Sequence, residues 1–108
     1  MAEAAVIDVV KKYLNCLTKQ GYDISFGVLF GSQAKGNASY LSDIDLIVVS
    51  TDFDKNIQSQ TLDELWKLAG RTDSRIEPIP CGLKNWEKDD IPPIYEIARH
   101  EGQIVYLN

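Results

Sequence analysis

The run IDLIVV, residues 44–49, is apolar at every position except Asp45. A strand with one face in water alternates apolar and polar residues, whereas a run without alternation belongs to a strand covered on both faces. With the helices and strands read on either side of it, such a strand suits an α/β arrangement with helices packed on a small sheet. At 108 residues there is enough chain for one such core and too little for a second domain of ordinary size, so residues 1–108 are read as a single domain.

The flanking segments supply the other elements. Val6, Ile7, Val9, Val10, Tyr13, Leu14 and Leu17 keep to one face of a helical repeat and predict a helix from Ala2 to Gln20, capped by Gly21. Ile24 to Phe30 reads as a strand stopping at Gly31, and Gly31 to Ser42 is small and polar with a turn signal at Gly36-Asn37. A second helix is expected from Thr61 to Ala69, with a stripe of Leu62, Leu65, Trp66 and Ala69, a Thr61/Glu64 capping box and Gly70 as its stop. Ser74 to Cys81 reads as a third strand in which Pro78 and Pro80 lack an N–H on the same side. It is therefore predicted to lie at an edge, paired only through Glu77, Ile79 and Cys81. A loop from Gly82 to Asp90, a helix from Pro92 to Glu101 ended by Gly102 and a short strand from Gln103 to Leu107 complete the order.

Composition narrows the function. A net charge of -5 counts against a protein that neutralises many nucleic-acid phosphates, so nucleotides, if involved, should be small and carried with a metal ion. No apolar run approaches the roughly 20 residues needed to cross a bilayer, and the N-terminus has no basic start followed by an apolar stretch, which points to the cytoplasm. Cys16, Cys81 and the single His100 lack the spacing of a zinc site or a disulfide framework, and both cysteines are expected to be buried free thiols. His100, in the last turn of its helix, suits the helix dipole. Trp66 and Trp86 read as core or partner-contact residues, and Tyr40 as a loop-packing or base-contacting residue.

The chemistry is concentrated in residues 29–50. Asp43 to Ser50 reads as a second strand, in which Asp43 and Asp45 are two apart, so their side chains leave the same face. Two carboxylates buried together without a counter-charge cost several kcal/mol, and a hard divalent cation such as Mg²⁺ accepts such oxygens while keeping positions for water and phosphate. The plainer alternative is that both merely end a strand in water. Gly31-Ser32 directly after a strand argues otherwise, because a residue without a β-carbon lets backbone N–H groups approach a phosphate, and Lys35 adds a cation. Glu77, between Ile76 and Pro78, is the candidate third carboxylate, against the alternative of an edge glutamate facing water. Three carboxylates with two Mg²⁺ ions would perform phosphoryl or nucleotidyl transfer.

Gly31-Ser32, ten intervening residues and Asp43-Ile44-Asp45 resemble the signature of the polymerase-beta-like nucleotidyltransferase superfamily. The short length and Glu77 make the chain most similar to its minimal nucleotidyltransferases. The resemblance implies a mixed sheet with flanking helices and Mg²⁺-dependent transfer of a nucleoside monophosphate, AMP from ATP, to a hydroxyl. It implies that Asp43, Asp45 and Glu77 are catalytic and hold the metals, and that Gly31, Ser32, Lys35 and Ser42 bind the nucleotide. Where members often carry arginine, this chain has Gln33 and Lys35; a lysine still meets a phosphate as a point charge, and a glutamine does not. Many minimal members act as antitoxins of a helical HEPN-family toxin, some by adding AMP to a tyrosine of it. A different class of function is a binding module that neutralises such a partner by contact, its site idle. Small-molecule modification would require an acceptor-holding domain, which here only an oligomer could supply.

Overall fold

The computed structural model describes residues 2–35, 42–88 and 92–107, with Ser32 described in its backbone only. The elements are α1 (Ala4–Lys19), β1 (Ile24–Phe30), α2 (Ser32–Lys35), β2 (Ile44–Ser50), a 3₁₀ turn (Thr51–Phe53), α3 (Ser59–Thr72), β3 (Ile76–Gly82), α4 (Leu83–Glu87), α5 (Pro93–Glu101) and β4 (Gln103–Val105). The strands form one mixed sheet in the order β3-β2-β1-β4, with β1 antiparallel to β2 and β4, and β2 parallel to β3. No described helix is long and apolar enough to cross a membrane.

Burial of β2 on both faces explains this layering. Ile44, Leu46 and Val48 enter a core with Val10, Leu14 and Leu17 of α1 and Leu65 and Ala69 of α3. Ile47 and Val49, which alternate with them, enter a second core with Val28, Cys81, Trp86 of α4 and Ala98 of α5. Helices therefore cover both sides of the sheet, and Asp45, in step with Ile47 and Val49, belongs to the α4/α5 side.

Several expectations are corrected. α3 begins at Ser59 after an N-cap at Gln58, so Thr61 lies inside the helix and no Thr61/Glu64 capping box forms. Glu64 instead accepts a 2.6 Å hydrogen bond from the Tyr22 hydroxyl. The helix runs through Gly70, which is exposed with open space around its Cα, and stops after Thr72 where Asp73 turns extended. Its buried face is Leu65, Leu68 and Ala69, leaving Leu62 partly exposed and Trp66 50% exposed. The segment after Gly82 is a short helix rather than a loop, held by Trp86 against Phe26 edge-to-face and beneath the Arg99 guanidinium. Cys81 is buried, which pushes its thiol up to about 11, while Cys16 is only half-buried.

β3 occupies an edge, as Pro78 and Pro80 require. Gly21 follows α1 at φ 104°, a conformation that favours glycine. Tyr13 is wholly buried, yet its hydroxyl donates a 2.8 Å hydrogen bond to the Leu65 carbonyl, tying α1 to α3. Tyr13→Phe is expected to lower unfolding free energy by about 1 kcal/mol, since it leaves that carbonyl with fewer partners and opens no cavity. Urea denaturation checks this, and an unchanged midpoint would show that the bond contributes nothing net.

Candidate active site

The site forms where β1 ends and β2 begins. In the parallel pair, Asp45 stands opposite Glu77, and in the antiparallel pair Asp45 stands opposite Phe30. Directly opposed residues share a face, so the Asp45 and Glu77 carboxyls lie side by side on the α4/α5 side of the sheet. Asp43, expected as the first residue of the second strand, instead precedes β2 by one residue and is exposed. Glu77 is held above the ordinary carboxylate range, first by its hydrogen bond with Asp45, then by desolvation and by the charges of Asp43 and Asp45. The three carboxylates singled out in the sequence are thus electrostatic neighbours.

Their arrangement bears on a metal. Every donor is a carboxylate oxygen, the type a hard divalent cation takes, and the mutual repulsion is what such an ion would relieve. Among the described residues no three Asp, Glu, His or Cys side chains are set to grip one ion as they stand. Asp45 and Glu77 instead stand as directly opposed carboxyls, whose mutual repulsion an incoming cation would relieve.

Gly31 sits against this pair. Its φ is 74°, and a β-carbon there would lie 2.7 Å from Asp45 Oδ2. The glycine is required twice, by backbone conformation and by the room the carboxylate occupies. The backbone of Ser32 opens α2, and Lys35 closes it, exposed. Ser42 is half-buried, and its carbonyl accepts a 3.0 Å hydrogen bond from Gln33 Nε2. Gly36, Asn37 and Tyr40 lie outside the described residues.

Two features escaped the sequence reading. Gln33 is only 5% exposed and points inward beside Ala34, so it is a buried amide and not a loop side chain. Asp73 and Arg75 form a two-pronged pair, Arg75 Nε to Asp73 Oδ1 at 3.0 Å and Nη2 to Oδ2 at 2.7 Å. Hydrogen bonding from the Arg75 side chain holds Asp73 below the usual carboxylate range, while the Arg75 carbonyl accepts the Ile44 N–H at 2.8 Å. The available signal was spacing: an Asp and an Arg two apart between a helix and a strand.

A mixed sheet flanked by helices, with a glycine turn at the end of one strand and acidic residues across the next two, defines the class of domain. The chain belongs to the family described as "Polymerase beta, Nucleotidyltransferase", whose sequence profile matches residues 11–108. No curated protein matches it with significance. Among solved structures, a mutant of the toxin–antitoxin MntA–HpeT matches at 19% identity and a TM-score of 0.62, over 90% of this chain and 72% of that one. A toxin–antitoxin with AMP-PNP matches at 20% identity and a TM-score of 0.62, over 91% and 73%. A tri-AMPylated Shewanella oneidensis HEPN toxin in complex with MNT antitoxin gives 19% and 0.52, over 91% and 72%. At such identities the likeness is one of fold.

Two outcomes are expected. Gly31→Ala should cost about 1–2 kcal/mol from the left-handed backbone alone, measured by chemical denaturation, and should displace the Asp45 carboxylate. Because the Glu77 pKa is raised in the fold, its contribution to stability is present below the ordinary carboxylate pKa and is lost as pH rises through the folded value. Glu77→Gln keeps a donor to Asp45 at every pH, so in EDTA it should melt above the parent at pH 8 and level with it at pH 4. Equal melting at pH 8 would mean that the two carboxylates do not repel.

Proposed function

We propose that this protein is a Mg²⁺-dependent nucleotidyltransferase that moves AMP from ATP to a hydroxyl of a protein partner, a tyrosine of a helical HEPN-type toxin. The observation that carries the reading is the side-by-side pairing of Asp45 with Glu77 across β2 and β3, with Gly31 packed against Asp45. Family membership supports nucleotidyl transfer, and the toxin–antitoxin complexes among the similar folds support the choice of partner.

In this reading Asp43, Asp45 and Glu77 hold the ions, and Gly31, Ser32, Lys35 and Ser42 face the nucleotide. Bound Mg²⁺ supplies charge neutralisation at the phosphates and a lowered pKa for the acceptor hydroxyl. The acceptor oxygen forms a bond to the α-phosphorus, the bond from that phosphorus to the bridging oxygen breaks, and pyrophosphate leaves. In this reading Glu77 also takes the hydroxyl proton. Lys35, exposed beside the turn, meets the departing phosphates.

Gln33 favours a second reading, neutralisation by contact with the site idle, because its amide faces inward and lends nothing to a triphosphate. One experiment separates the two. With labelled ATP and the cognate helical partner, the parent should label the partner, and Asp43→Ala with Asp45→Ala should lower the rate about a thousandfold or more, as losing several kcal/mol of metal stabilisation requires. A folded double variant that labels at the parent's rate would sink the enzymatic reading. One that labels nothing yet still suppresses the partner in cells would establish contact neutralisation.

A further inference from the structure

Asp43 occupies an unusual position for a residue with a demanding role. It lies outside β2, exposed, in a stretch with no regular secondary structure. Its backbone direction is nevertheless fixed from both sides. The peptide plane before its Cα carries the Ser42 carbonyl, which accepts the Gln33 Nε2 hydrogen bond at 3.0 Å. The plane after its Cα carries the Ile44 N–H, which donates to the Arg75 carbonyl at 2.8 Å. Two peptide planes define φ and ψ of the residue between them, so these two bonds set where the Asp43 side chain leaves the chain.

The second anchor belongs to the sheet, because Ile44 begins β2 opposite Ile76 of β3. The first is a single buried side chain reaching across nine residues. Gln33 is one of two buried polar residues among those described, with Ser50 the other. A buried amide is retained only where its hydrogen bonds are made, and this one is spent on the residue before Asp43 rather than on the surface. From this geometry we infer that Gln33 is a positioning residue for Asp43: it holds the Ser42 carbonyl, and with it the backbone from which the Asp43 carboxylate must reach an ion shared with Asp45 and Glu77. The inference rests on the reading of Asp43 as a metal ligand. It gives position 33, where a glutamine does not meet a phosphate, a role toward the cation.

The test is Mn²⁺ binding to the full chain without nucleotide or partner, followed by the electron paramagnetic resonance signal of free Mn²⁺. Gln33→Met keeps the length of the side chain and removes the donor; Gln33→Ala serves as a second variant. Each is titrated well below its own melting temperature, so that a stability loss by itself leaves the affinity unmoved. The expected result is Mn²⁺ affinity about tenfold weaker than the parent in a folded variant, the scale of one lost buried hydrogen bond. Asp43→Ala with Asp45→Ala is the reference for no site. A folded Gln33→Met that binds Mn²⁺ like the parent overturns the inference and leaves the metal reading standing. A parent no better than the double aspartate variant removes the metal site, and the inference with it. Failure of both Gln33 variants to fold makes the residue a stability element and overturns the positioning role.

Discussion

Burial of β2 on both faces is the constraint around which the other elements are arranged. Its even-numbered residues reach the α1/α3 core and Ile47 and Val49 reach the α4/α5 core, so helices are needed on either side of one strand. Polar residues in such a strand must be accommodated. At its far end Ser50 is fully buried and fully satisfied: its hydroxyl donates to the Asp23 carbonyl at 2.7 Å and accepts from the Asp52 N–H at 3.0 Å. At its near end Asp45 faces another carboxyl, Glu77. One end is closed by hydrogen bonds, and the other is left with a charge conflict that only a proton or a cation resolves.

This contrast separates stability from function within seven residues. A domain selected for stability alone would give Asp45 a neutral partner. The fold instead reserves the space of a β-carbon at Gly31 for the Asp45 carboxylate and keeps an acidic side chain beside it. The unfavourable interactions of this strand are thus concentrated at one mouth, where the candidate site lies.

The features legible in the sequence were those that local chemistry decides. β1 runs from Ile24 to Phe30 as read, because a dense apolar run between polar residues and a glycine has few other uses. The edge position of β3 followed from two missing donors, and Glu77 was nominated because an acid between Ile76 and Pro78 needs a reason. What was misread depended on distant partners. α3 was drawn too short because Gly70 usually ends a helix, while its exposed position tolerates continuation to Thr72. Helical spacing alone puts Trp66 in the stripe, yet the inward face is set by α1 and the sheet and takes Leu68 instead. Gln33 could not be read as buried, since its partner is a backbone carbonyl nine residues away. That Asp45 stands opposite Glu77 is a matter of register between strands joined through α3, which no local pattern specifies.

The prolines of β3 have one more consequence, for how a polypeptide can approach. An exposed sheet edge ordinarily invites an incoming chain to add itself as another strand. The outer edge of β3 offers no N–H at Pro78 or Pro80, and the Pro80 carbonyl is already engaged by the Tyr95 hydroxyl at 3.2 Å. The border nearest the carboxylates is therefore closed to strand addition. Backbone pairing along that border is thus not a route by which another chain can reach Asp45 and Glu77.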